Sequence, residues 1–182
     1  MDTGSGTPDV PARSGGRRAD YLFLLAGGAL GAFFGGIHDG LVSFPLSPEY
    51  FSVGKELGEG YGLHGQAILL GLGAGIAPGV IGAAVILYLG RKAGLGAALA
   101  HPEIARQFAY PLIAAIVVEA IFALVLSDRD PMRFRPFLAA VGVVDRSADR
   151  FLLVWWMHVG VYAGFGIGLA VAAIRLALSR RR

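Results

Sequence analysis

Four apolar stretches, Tyr21–Leu41, Leu63–Leu89, Phe108–Leu126 and Phe151–Ile174, dominate the chain and are separated by shorter polar connections. A helix rises about 1.5 Å per residue, so roughly 20 apolar residues cross about 30 Å of hydrocarbon. Each stretch is long enough. The pattern predicts an all-α fold, an integral membrane four-helix bundle with spans at about 21–41, 63–89, 108–126 and 151–174. One membrane domain over 21–178 leaves no residues for a second globular unit. The Gly-, Ser- and Arg-containing segment 1–20 reads as a disordered cytoplasmic tail, and 179–182 as a basic one. Tyr21–Ile37 exceeds the apolar region of a typical signal peptide and has no clear small-x-small cleavage site, so it reads as a retained first helix.

Composition narrows the chemistry. The chain is 55% hydrophobic and only 16% charged, with mean hydropathy +0.61, which is outside the range of an ordinary soluble domain. Cysteine is absent, which removes disulfides, thiolate metal sites and thiol catalysis together. No basic stripe interleaved with exposed aromatics occurs, so nucleic acid is not an expected partner. The glycine-rich run at 71–75 lies inside an apolar helix rather than after a strand, which argues against a nucleotide loop. No serine sits in a nucleophile-elbow context.

Basic residues orient the bundle. The termini and the middle loop hold Arg13, Arg17, Arg18, Arg91, Lys92, Arg106, Arg175 and Arg180 to Arg182, ten in all. The other two loops hold six: Lys55, Arg129, Arg133, Arg135, Arg146 and Arg150. The positive-inside rule therefore places both termini in the cytoplasm. Trp155, Trp156, Tyr50 and Tyr61 suit an aromatic belt at the outer interface. Phe137–Val144 is too short to span and reads as an interfacial segment, His101 as a solvated loop residue, and Arg180 to Arg182 as an anchor against anionic lipid.

Ionisable groups inside the apolar stretches then stand out. His38, His64, His158 and Glu119 lie one on each span, and alternating chain direction puts all four in the outer half of the bilayer. Glu119 is roughly 10 Å inside the boundary by helix rise. Such groups are expensive in hydrocarbon and mark functional sites. Gly27, Gly31 and Gly35 repeat every four residues, as do Gly71, Gly75 and Gly79. Small-residue stripes of this kind let helices approach closely. His38 and His64 each continue a stripe, so packing of the first two spans is expected to bring these imidazoles together. Glu119 shares a face with Ala115 and Ala123. Gly160, Gly164 and Gly168 form a third stripe, but His158 points away from it, beside Trp155, Tyr162 and Phe165. Those glycines are expected against a neighbouring helix or another subunit, and Pro78 is expected to bend the second span.

The first outer loop carries the most specific string, His38-Asp39-Gly40-Leu41-Val42-Ser43-Phe44-Pro45-Leu46-Ser47-Pro48-Glu49-Tyr50-Phe51. Ser47, Pro48 and Glu49 suit the cap and first turn of a short interfacial helix from about Pro48 to Leu57. Asp39 is unfavourable at a helix C-terminus, and beside His38 it is suited to orient the imidazole or to bind metal. Through His38, Asp39, Ser47, Glu49, Tyr50 and Phe51 the string resembles a motif of uncharacterised small four-span bacterial inner-membrane proteins. Those proteins often have a polar residue such as Gln where this chain has Gly40. The resemblance covers about 14 residues and the four-span layout. It implies a multi-pass protein of the bacterial inner (plasma) membrane with a shared site, and names no activity.

Three readings of the site remain open. A transition metal such as zinc, iron, copper or manganese suits a set drawn from His38, Asp39, Glu49, His64, Glu119 and His158. A haem b held by two histidines, such as His64 and His158, implies electron transfer. The third reading has no cofactor. The polar groups satisfy one another or carry protons, and the chain is a scaffold or accessory subunit of a homo-oligomer or larger membrane complex joined through glycine-rich faces.

Overall fold

A computed structural model describes residues 14–58, 62–93, 102–130 and 132–179, and every regular element among them is helical. Tyr61, His101 and Arg180 to Arg182 lie outside the described residues. Helix α1 (Ser14–Ile37) runs into a π-helical segment (His38–Ser43) and then into α2 (Phe44–Leu46) without a break. A short α3 (Pro48–Ser52) precedes α4 (Leu63–Lys92). After α5 (Pro102–Arg106) come α6 (Ala109–Leu126), α7 (Phe134–Ala140) and α8 (Asp145–Ser179). Four helical stretches are long and apolar enough to span a membrane: Gly16–Leu46, Leu63–Lys92, Ile104–Leu126 and Asp145–Leu178. Large apolar side chains such as Leu25, Leu69 and Leu124 point outward. A multi-pass membrane protein meets lipid with such a surface.

The helices overrun the apolar stretches at several ends. Residues 14–20 belong to α1 rather than to a tail, and the last helix starts at Asp145, before Phe151. Hydropathy marks the lipid boundary, but helical hydrogen bonding continues past it into polar sequence. The interfacial helix is shorter than expected, ending at Ser52. There the backbone N–H groups of Val53 and Gly54 both turn back to the Glu49 carbonyl. Ser47 does cap it, its hydroxyl accepting from the Tyr50 N–H at 3.3 Å. Tyr50 and Phe51 are buried, so α3 is clamped into the bundle by its aromatic side.

Glycine decides how the long helices pair. Chiefly α1 packs on α4 and α6 on α8, while α4 and α8 join the two pairs. A Cβ at Gly31 or Gly75 would collide with the other's backbone carbonyl, so this crossing tolerates no side chain. The third stripe is spent inside the chain as well. A Cβ at Gly160 would stand 2.7 Å from Glu119 Cα, and Gly164 and Gly168 lie as closely on α6 backbone. An oligomer would have to use some other face. Helix α4 continues through Pro78.

Two apolar clusters close the bundle. At the end carrying the termini, Phe23, Ile86, Ile104, Phe108 and Leu176 pack together. There Asp20 of α1 is also paired with Arg91 of α4. At the far end Tyr50, Phe51, Leu138, Phe151 and Val154 form the second cluster. The polar site lies against this second cluster.

Candidate metal centre

The site is built where α1 changes its winding. In an α-helix neighbouring residues point about 100° apart, yet His38 and Asp39 both turn inward from the π segment. Single π turns of this kind recur at functional sites. His38, Asp39 and Ser43 are all buried. The helix does not end at Asp39, so the expected clash of a carboxylate with a helix C-terminus does not arise.

Asp39 is the hub. One oxygen, Oδ1, lies 2.9 Å from His38 Nδ1 and 3.0 Å from His158 Nε2. Ligand atoms of His38, Asp39 and His158 all fall within 4.8 Å of one another. Each imidazole is held from its other side. His38 Nε2 meets Glu119 Oε1 at 3.0 Å, and His158 Nδ1 meets the Val154 carbonyl at 2.8 Å. The Ser43 hydroxyl is 3.4 Å from His38 Nδ1. The two rings meet edge to face, with centroids 4.7 Å apart.

Aromatic rings fix the geometry further. Tyr50 stacks on His158 at 4.6 Å, and Phe34 on His38 at 6.3 Å. Burial pushes the Tyr50 phenol above its ordinary range, and the Asp39 carboxylate adds to the push. Tyr50 therefore remains a neutral ring over the imidazole. A cavity of about 60 Å³ opens beside the site, lined in part by Gly35, Gly71, Pro78, Tyr162 and Phe165.

Two sequence candidates lie elsewhere. His64 is exposed; its Nε2 is 2.8 Å from the Gly40 carbonyl oxygen and its ring stacks on Phe44 at 4.6 Å. The glycine stripes do pack, but His64 sits about two turns before Gly71 and stops at the π-segment backbone. Glu49 accepts from the Ser47 hydroxyl at 3.2 Å and belongs to the α3 cap. His158, which points off its own glycine stripe, reaches the site from the opposite face of α8. Glycines hold one side of that helix on α6 while the imidazole turns to Asp39.

Ser43, Tyr50 and the Val154 carbonyl were not singled out as site groups by the sequence pattern. A serine five residues after a histidine shares no face of an α-helix, and only π winding brings the two together. Tyr50 reads equally well as an interfacial aromatic. Trp156 does behave as a boundary residue, donating from Nε1 to the Arg129 carbonyl at 3.1 Å.

No family model, curated protein or solved structure matches this chain. Its chemistry has to be read from its own geometry.

Proposed function

We propose that this membrane protein binds a divalent transition-metal ion through His38 Nδ1, Asp39 and His158 Nε2. Hydrogen-bond donor count carries the reading. Four imidazole nitrogens each face an oxygen, yet a neutral imidazole owns a single N–H. Placed on His38 Nε2 and His158 Nδ1, the two available hydrogens are donated to Glu119 and to the Val154 carbonyl. Both remaining lone pairs then aim at Asp39, itself an acceptor. A dication there meets both lone pairs and balances the two carboxylates.

Known metal chemistry fits this arrangement. Imidazole ligands are generally oriented by a carboxylate or carbonyl on the second nitrogen, the roles taken here by Glu119 and Val154. Bonds of about 2.0–2.1 Å place tetrahedral ligand atoms about 3.3 Å apart. The observed 2.9 and 3.0 Å separations need to open by only a few tenths of an ångström. Two histidines and a carboxylate suit zinc or ferrous iron, with copper and manganese also compatible. Three protein ligands leave a coordination position toward the cavity, which has room for a few waters. The positive-inside rule favours an outward-facing site, which in the bacterial inner membrane that the resemblance implies is the periplasmic side.

A second reading draws on the same donor shortage. Two added protons would also complete the four contacts, making the site a cofactor-free network in a proton-carrying or accessory subunit. Haem b has less support, because His64 is engaged at Gly40 and the cavity is far smaller than a porphyrin. The string at 38–51 supplies His38, Asp39 and Tyr50, so the small four-span proteins it resembles are expected to share that part of the site.

Elemental analysis and a visible spectrum of protein purified in mild detergent test the proposal, beside Asp39→Asn and His158→Ala. The expected result is about one equivalent of metal in the parent protein and a marked loss in both variants. Parent protein that stays metal-free after equilibration with zinc or ferrous ion would leave the proton network. A Soret band would point to haem.

A further inference from the structure

The π segment ends on a missing donor. In π winding a carbonyl accepts from the N–H five residues on, and the Asp39 carbonyl accepts from Phe44 in this way. For Gly40 the fifth residue is Pro45, which has no N–H. Gly40 is buried, so its carbonyl needs a partner from the protein. Helix α4 supplies one: His64 Nε2 lies 2.8 Å from the Gly40 oxygen. The carbonyl can only accept, so the imidazole donates. Phe44, next to Pro45, stacks on the same ring at 4.6 Å. The rest of this α4 face follows the same segment. His64, Ile68 and Gly71 are spaced by four and three residues and share one side of the helix. A Cβ on Gly40 would collide with the Ile68 side chain, and one on Gly71 would stand 2.8 Å from Asp39 Cβ.

From this arrangement we infer that His64 is a positioning residue for the cluster: it gives Gly40 the hydrogen bond that Pro45 withholds, and so selects π over α winding. The competition is over one N–H. In an α-helix the Gly40 carbonyl would take the Phe44 N–H, four residues on, which Asp39 holds in the π form. With His64 serving Gly40, the Phe44 N–H is left to Asp39. Rewinding would shift the register by one residue, and neighbouring residues of an α-helix point about 100° apart. His38 and Asp39 would then no longer turn inward together. His64 acts only through the backbone and touches neither imidazole of the cluster. Its effect on ion binding rests on the metal reading, whereas its hold on the winding does not.

Two measurements on the full chain in mild detergent test this. One is deuterium exchange at the amides of residues 42–44 in metal-free protein; the other is zinc affinity, by competition with a chromophoric chelator. His64→Ala is expected to speed the exchange and to weaken zinc about fivefold, as the net loss of one hydrogen bond implies. Metal content at saturating zinc should stay at the parent value, because no ligand is removed. Pro45→Ala is the diagnostic change, since residue 45 then carries an N–H for the Gly40 carbonyl. In that background His64→Ala should alter neither exchange nor affinity. A ring that matters only by packing on Phe44 predicts a loss that Pro45→Ala does not relieve. That loss, exchange in His64→Ala equal to the parent's, or faster exchange with unchanged zinc affinity would overturn the inference. Parent protein that binds no zinc would sink the metal reading alone, because the exchange comparison still decides whether His64 holds the winding.

Discussion

At the end of the bundle carrying the termini, Phe23, Ile86, Ile104, Phe108 and Leu176 fill the space between helices with apolar atoms. At the far end the same helices enclose His38, Asp39 and His158 beside an aromatic cluster. Apart from the Asp20–Arg91 pair, the first arrangement asks chiefly for volume, since apolar contacts carry no direction. The second asks for direction at every polar atom, because an unsatisfied buried donor or acceptor costs about 1–3 kcal/mol. The backbone differs accordingly. Regular α-helix serves the apolar end, whereas the polar end contains a π segment and a capped short helix.

That contrast can be broken or sharpened by substitution. The largest effect is expected where both ends depend on one crossing. Gly75→Leu drives a side chain into α1 backbone and should cost about 3 kcal/mol or more, read as loss of the monodisperse, thermally cooperative species in detergent. Gly73→Ala, with open space around its Cβ, should stay within about 1 kcal/mol of the parent. Next comes Ile86→Ala at the apolar end, expected to lower stability by about 2–5 kcal/mol in thermal unfolding while leaving metal content unchanged.

Smaller effects separate the capping and imidazole roles at the polar end. Ser47→Ala removes the α3 cap and should cost about 1 kcal/mol in the same measurement. His64→Ala is expected to have the least effect on metal content, which should remain at the parent level, because this imidazole is bonded to Gly40 rather than to the cluster. A His64→Ala variant that lost its metal would move the site toward the α4 end and undo the assignment of His158.

The apolar frame was legible because lipid imposes a length and a composition that few other environments do. Small-residue spacing also located the α1–α4 crossing, since backbone contact needs glycine on both sides. Asp39 was legible as a partner of His38 from adjacency, but that His158 rather than His64 shares this carboxylate was harder to find. Helical periodicity assumes 3.6 residues per turn, and the π segment changes the winding at the very residues that carry the chemistry. His64 continued its stripe in register but stood too far along α4 to reach inward. His158 looked misplaced because glycines drew attention to the opposite face of α8, where they hold α6. Position along a helix could be read from the chain, but the direction of a side chain at an irregular turn could not.

Metal content of the parent protein against Asp39→Asn, determined on monodisperse samples after equilibration with zinc or ferrous ion, tests the central claim most directly. The donor count predicts about one equivalent in the parent and a loss of at least tenfold in affinity for the variant, since a bound imidazole pair loses its shared carboxylate. Equal metal content in the two proteins, or none in either, would contradict it.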